Sequence, residues 1–283
     1  MRLISYQSNT GPRLGVVRGS DFAPIPDLDM LRLIEMGEAG LKQARAASGS
    51  LLPLNSVTLL APLPAPRRNV FCIGMNYVKH AKETAEARGR EFKLPTHPVF
   101  FTKATTTVNG PYADIPVDPK ISGQMDWEAE LAVVIGQPGK NISRQNALDY
   151  VFGYTVVNDV TARDMQDNHI QFFKGKSLDG ACPMGPWIVT RDEVKDPHAL
   201  PIRCSVNGTL KQNSVTNDLI FDIPAIIEWL SKGMTLLPGD VIATGTPGGV
   251  GFARNPPEFL KPGDVVECEV EGVGKIRNQV VAV

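Results

Sequence analysis

Alternating and continuous runs of apolar residues sort most of this chain into short strands. Leu3 to Tyr6 and Leu14 to Val17 read as two strands joined by a turn at Asn9 to Pro12. Val70 to Ile73 and Pro98 to Thr102 are further strand candidates, and Glu128 to Ile135 and Tyr150 to Val157 are stronger ones. Ile202 to Val206 and Thr209 to Gln212 flank Asn207-Gly208, a pair that supplies the positive φ angles of a type I′ hairpin turn. Val265 to Val270 and Lys275 to Val281 make a second hairpin across Gly272-Val273-Gly274. Pro238-Gly239 and Pro262-Gly263 are turns that each launch a strand.

Helical periodicity is scarcer. The stretch after Asp29 suits one or two short helices closing at Gly49. Asp222 to Gly233 is the clearest helix, with Asp222 as N-cap, Pro224 in the first turn and Gly233 as the stop. Its Ile226, Ile227 and Leu230 face a core. Val78 to Arg88 and Ser143 to Asp149 carry weaker helical patterns. Strands do not alternate with long helices, which argues against a doubly wound parallel sheet. Three prolines within Ala61 to Arg68 make an extended connection, so the chain is divided there. A small N-terminal α+β unit (1–66) precedes a mostly β domain (67–283).

Composition narrows the function. The 283 residues are 42% hydrophobic and 21% charged, with a formal net charge of −1. A nucleic-acid binder would need a basic excess, so no nucleic-acid partner is expected. No apolar run is long enough to span a bilayer, and the N-terminal stretch lacks the apolar core of a secretory signal. Cys72, Cys182, Cys204 and Cys268 contain no CxxC and read as reduced, buried thiols of a cytoplasmic protein; a secreted protein with two disulfides is the competing reading. Two tempting nucleotide motifs fail. Gly175-Lys176-Ser177 lacks the earlier glycine of a phosphate loop, because position 170 is Ile, and Gly245 to Gly251 contains no GxGxxG.

The chemistry concentrates in acids. In a strand, Glu128 and Glu130 point the same way with Cα atoms about 7 Å apart, while Ala129, Leu131 and Val133 point to the other face. Two acids on one face of a buried strand repel each other and lose hydration, and a divalent cation relieves both costs. Oxygen-only ligands favour magnesium, manganese or calcium over zinc. Asp159, at the tip of the strand Tyr150 to Val157, could complete a three-carboxylate site; a solvated strand face is the alternative. Arg163 and Gln166, one helical turn apart, could hold an anionic substrate or form a surface pair. His80 and Glu83 have the spacing of a general-base pair or of an ordinary exposed helix pair. His97 and His198 read as structural, and His169 sits on a polar helix face.

Together these segments resemble the fumarylacetoacetate hydrolase family. The matching pieces run in order through GMNYVKHAKE (74–83), WEAELAVVIG (127–136), NDVTARDMQ (158–166), GKSLDGACPMGPW (175–187), NGTLKQ (207–212) and MTLLPGDVIATGTPGGVG (234–251). The resemblance implies an α+β, mostly β protein whose catalytic domain is a rolled mixed β-sheet. It implies one Mg²⁺ or Mn²⁺, Ca²⁺ in some members, on Glu128, Glu130 and Asp159. It places Lys176 over the substrate carbonyl or enolate, Arg163 and Gln166 on the substrate, and Thr246 on its carboxylate. His80 and Glu83 become a catalytic dyad on a lid, and the assembly a homodimer. Asp126 is not assigned as an additional ligand. The implied function is hydrolysis of a C–C bond in a 2,4-dioxo acid such as an acylpyruvate from aromatic-compound catabolism, the small-molecule partner being a 2-oxo acid. Oxaloacetate decarboxylation, or isomerisation of an enol acid, is the alternative on the same scaffold. A non-enzymatic scaffold protein is a third reading.

Overall fold

Backbone pairing gathers the expected strands into two main sheets. The structure is a computed structural model that describes residues 1–283. Ten strands of the larger, twelve-stranded sheet form a continuous path, entered from the N-terminal region. Along it, Arg2–Ser8 pairs with Cys182–Thr190, which pairs with Val151–Asn158, then Ala129–Ile135, Val241–Ala243, Val70–Gly74 and finally Val99–Lys103. Most neighbours are antiparallel; Val241–Ala243 runs parallel to Val70–Gly74. A five-stranded sheet contains both hairpins, Pro201–Val206 with Thr209–Val215 and Val265–Val270 with Gly274–Ala282. The architecture is therefore mostly β with mixed pairing. No helix is long and apolar enough to cross a membrane.

The alternation of Ala129–Ile135 separates two cores. Ala129, Leu131, Val133 and Ile135 join a cluster shared with Cys204, Val266, Ile226 and Ile227, while Ala132 and Val134 join one shared with Leu3, Leu14 and Ile188. All seven residues of this strand are buried, so neither face carries solvated acids. The second cluster mixes residues from both sides of the proline-rich connection. The N-terminal unit thus shares a sheet and a core with the larger domain.

Local chemistry accounts for the element ends. Asn207 and Gly208 have φ of 51° and 75°, the two left-handed residues of the expected hairpin turn. Asp29 and Asp222 cap their helices, their side chains accepting from Arg32 N at 2.7 Å and Ala225 N at 2.9 Å. The stretch after Asp29 forms two helices, Met30–Glu35 and Glu38–Ala46. The weaker pattern near Ser143 becomes a 3₁₀ helix, Arg144–Tyr150, instead of an α-helix, with Asn146 N donating to Ser143 O. Ala147 is buried and Leu148 and Tyr150 pack on the core, while the opening residues Arg144 to Asn146 are polar and exposed. All four cysteines are free and buried. Far apart in sequence, Cys204 and Cys268 are direct cross-strand partners with sulfurs 3.8 Å apart.

Candidate active site

Strand register assembles the acids. Ala129 lies opposite Asn158, so the residues just before and after them, Glu128 and Asp159, meet across the ladder. Asp159 N donates to Glu128 O at 2.8 Å, and Asn158 Oδ1 accepts from Glu128 N at 3.0 Å. Glu130 is two residues along on the same face. Carboxylate oxygens of Glu128, Glu130 and Asp159 lie within 4.8 Å of one another, all buried. Beyond Asp159 the chain pairs Thr161–Ala162 with Met125–Asp126, which sets Arg163 beside Asp126 and Glu128.

Buried cations share this space. Lys176 Nζ donates to Glu128 Oε2 at 2.8 Å and Asp159 Oδ2 at 2.7 Å. Arg163 donates to Asp126 Oδ2 at 2.9 Å, Glu128 Oε1 at 2.6 Å and Gln166 Oε1 at 3.1 Å. Lys103, fully buried at the end of its strand, donates to Val160 O at 3.0 Å and stands 2.7 Å from Asp159 Oδ1. That last contact is an ion pair without hydrogen-bond geometry, so Asp159 Oδ1 accepts no hydrogen bond. Asp126 is committed elsewhere: besides Arg163 it accepts from the backbone N–H groups of Trp127, Gly251 and Phe252. It therefore anchors Arg163 and a loop.

The charges do not balance within the acid cluster. Four buried carboxylates, Asp126, Glu128, Glu130 and Asp159, face three buried cations, Lys103, Arg163 and Lys176. The odd one is Glu130, whose side chain accepts only from Gly245 N, at 2.7 Å. Burial, with Asp159 and Glu128 nearby, pushes its carboxyl well above the usual range. Burial also pushes Glu128 up, but Lys176 and Arg163 outweigh that and hold it well below the usual range. Burial opposes the charge on Lys176, yet Asp159 and Glu128 keep its ammonium more basic than an ordinary lysine. The surplus acid, the oxygen-only donors and their mutual distance fit a hard divalent cation held by Glu128, Glu130 and Asp159. The lysines and Arg163 neutralise two of the three acids and leave the third without a cationic partner.

A glycine-rich loop, unhelpful as a nucleotide motif, serves here as a row of N–H donors. Gly245 reaches Glu130, Gly249 reaches both Glu83 oxygens at 3.0 and 2.8 Å, and Gly251 reaches Asp126 at 2.7 Å. Gly245 has φ of 106°, and a Cβ there would fall 2.7 Å from Asn76 Cβ. Glycine is needed at that position on both counts.

Glu128 and Glu130 open into a narrow cleft, bounded on one side by the helix Val78–Ala87. His80 is buried in its wall, with Nδ1 3.1 Å from Glu83 Oε1. Gly249 N and His80 together fix Glu83, leaving Nε2 of the ring for the cleft. Arg163, Gln166, Lys176 and Thr246 also line it. The Thr246 hydroxyl already donates to Ala129 O at 3.0 Å and accepts from Gln212 at 2.8 Å. It has no free proton for a carboxylate in this rotamer. Lys176 points between two of the acids, Glu128 and Asp159. The structure thus brings together every residue singled out for the site, and keeps three histidines away from it. His97 packs edge-on against Trp229, His198 accepts from Ile223 N, and His169 is exposed just beyond the short helix Arg163–Asn168. Lys103, Arg88, Phe252 and the anchoring part played by Asp126 were missed. A lysine ending the apolar run Val99–Lys103 was the one available signal.

The C-terminal model of fumarylacetoacetate (FAA) hydrolase matches residues 69–281. Oxaloacetate tautomerase fahd2, mitochondrial, of Xenopus laevis is 45% identical, over 99% of this chain and 90% of its own. Oxaloacetate tautomerase YisK of Bacillus subtilis (strain 168) is 49% identical, over 80% of this chain and 74% of its own. Among solved structures, maleylpyruvate hydrolase from Sphingobium sp. SYK-6, in complex with manganese(II) ion and pyruvate, superposes with a TM-score of 0.79. It is 35% identical, and the match covers 100% of this chain and 99% of that one. With a matching fold and family model, this chain belongs to the fumarylacetoacetate hydrolase family of enzymes.

Proposed function

We propose that this protein interconverts the enol and keto forms of a four-carbon 2-oxo dicarboxylic acid, oxaloacetate, with Mg²⁺ or Mn²⁺ as cofactor. The observation that carries this reading is the buried triad, in which Glu130 has no cationic partner, opening into the cleft that His80 also lines. Two relatives above 40% identity named as oxaloacetate tautomerases support the substrate. When bound, a divalent cation at Glu128, Glu130 and Asp159 supplies Lewis-acid charge that favours the enolate of a 2-oxo acid.

The chain's own residues supply the rest. Lys176 holds a fixed positive charge at the cleft floor, where an enolate oxygen gains negative charge. Arg163, braced by Asp126 and Gln166, gives a second fixed cation that needs no reorganisation. In the ketonising direction His80 Nε2 delivers a proton to C3 of the enol. The C2 hydroxyl releases a proton, and the ring is recharged, so no atom is gained or lost. Glu83 holds the ring through Nδ1 and balances its charge.

Hydrolysis of a C–C bond in an acylpyruvate is the second reading. The intact His80–Glu83 pair favours it equally, because the same imidazole can take a proton from water. The dyad does not discriminate between the two reactions, and the named relatives weigh toward tautomerisation. The test is to follow decay of enol-oxaloacetate optically with Mg²⁺ or Mn²⁺, with pyruvate release measured in parallel and acylpyruvates run alongside. Faster enol decay without pyruvate supports the proposal. Cleavage of acylpyruvates with no effect on the enol overturns it in favour of hydrolysis, and pyruvate release in favour of decarboxylation. The working unit proposed is a homodimer, checked by light scattering.

A further inference from the structure

The cleft contains one arginine whose only acidic partner is a surface group. Lys176 and Arg163 are tied to buried carboxylates that would be left unpaired if either let go. Arg88 also lines the cleft, but its guanidinium is paired with Asp167, whose side chain is 55% exposed. Releasing Asp167 returns it to water at little cost, since ion pairs at this exposure contribute little. Arg88 is thus free to exchange partners in a way that the deeper cations are not.

Its placement follows from the helix Val78–Ala87. His80, Thr84 and Arg88 recur every four residues, share one face, and all line the cleft. Arg88 sits about 12 Å along the axis from His80. Arg88 is the C-cap of that helix, and with 24% of its side chain exposed its guanidinium lies where the cleft meets water. Arg88 and Arg163 both lie over the Phe252 ring, at 5.7 and 4.4 Å from its centroid. One cation marks the acid end of the cleft and the other its outer end.

We infer that Arg88 grips the second carboxylate of the substrate and selects 2-oxo dicarboxylates over 2-oxo monocarboxylates. This rests on the enol–keto reaction proposed above. With the 2-oxo acid group at the acid end, the far end of a dicarboxylate is directed toward the mouth. A planar guanidinium there can take it with two parallel hydrogen bonds, displacing Asp167.

The experiment measures kcat and KM on enol-oxaloacetate and on enol-phenylpyruvate with Mg²⁺, for the unaltered protein and for Arg88→Ala, Arg88→Lys and Asp167→Asn. Arg88→Ala is expected to raise KM for oxaloacetate about 10- to 100-fold, the loss of one charge-assisted contact. The ratio of kcat/KM between the two substrates should fall at least about tenfold. Arg88→Lys should restore part of that ratio, and Asp167→Asn should keep it. If Arg88→Ala and Asp167→Asn instead depress both substrates alike, the pair is only a structural latch and the inference is overturned. An unchanged ratio in Arg88→Ala overturns it as well. Failure of the unaltered protein to accelerate either enol brings down the proposed reaction itself, an outcome distinct from an active enzyme that ignores Arg88.

Discussion

The acid cluster and the helix Val78–Ala87 hold charge in opposite ways. In the cluster every charged side chain is buried, and each except Glu130 has a partner of opposite sign within hydrogen-bond distance. Of the polar side chains that the helix and its C-cap bring to the cleft, His80 is buried, whereas Glu83 and Arg88 keep 23% and 24% of their side chains exposed. The sheet ladder fixes the first group, so removing one member strands another in a medium that cannot solvate it. The second group borders water, which can replace whatever is lost. The contrast teaches which substitutions report on chemistry alone and which report on folding too.

Asp159→Asn should have the largest effect, because two buried lysines lose their shared anion. Turnover is expected to fall at least about 1,000-fold, and stability by about 3–5 kcal/mol; urea denaturation and metal titration check both. A variant that loses metal but keeps full stability would show that Lys103 and Lys176 do not depend on this acid. His80→Ala should cost about 100- to 10,000-fold in kcat with a much smaller change in stability, read by steady-state kinetics and thermal melts. Glu83→Gln keeps the size of the side chain and weakens only the orientation and charge balance of the ring. A loss of about tenfold in kcat is expected, and a loss as deep as that of His80→Ala would make Glu83 more than an orienter.

The smallest effect is also the sharpest, and it belongs to Glu130 in metal-free protein. Its folded pKa is raised, so its contribution is intact below the ordinary carboxylate range and lost as pH rises through the folded value. Glu130→Gln removes that loss. The melting temperature of the metal-free variant should exceed that of the unaltered protein by a few degrees at pH 8, and the gap should close toward pH 4. Added Mg²⁺ or Mn²⁺ should then stabilise the unaltered protein and leave the variant unmoved. A gap that widens on acidification would contradict the charge imbalance.

Much of this arrangement was legible from the chain. Period-two spacing put Glu128 and Glu130 on one face and Ala129, Leu131 and Val133 on the other, because strand geometry alone decides it. Asn207-Gly208 and the cap Asp222 were legible for the same local reason. The partners of the acids were not. Where the ammonium of Lys103 ends up depends on packing between strands distant in sequence, which no spacing rule encodes. Resemblance located Lys176 at the site, yet its contacts with Glu128 and Asp159 follow from the register of three separate elements. Gly245 to Gly251 lacks the spacing of a nucleotide loop, and its use in feeding N–H groups to Glu130, Glu83 and Asp126 needs the third dimension. The pairing of Cys204 with Cys268 was equally invisible.

One pairing carries a consequence for how the chain reaches this state. Arg2 and Leu3 lie opposite Val189 and Ile188 in the middle of the large sheet. The strand Arg2–Ser8 can pair at once with Gly11–Arg18, but its other edge waits for a partner that lies far along the sequence. Such long-range closure slows folding and leaves a bare strand edge, prone to intermolecular association, during synthesis. Refolding yield should accordingly fall with protein concentration well before native stability becomes limiting.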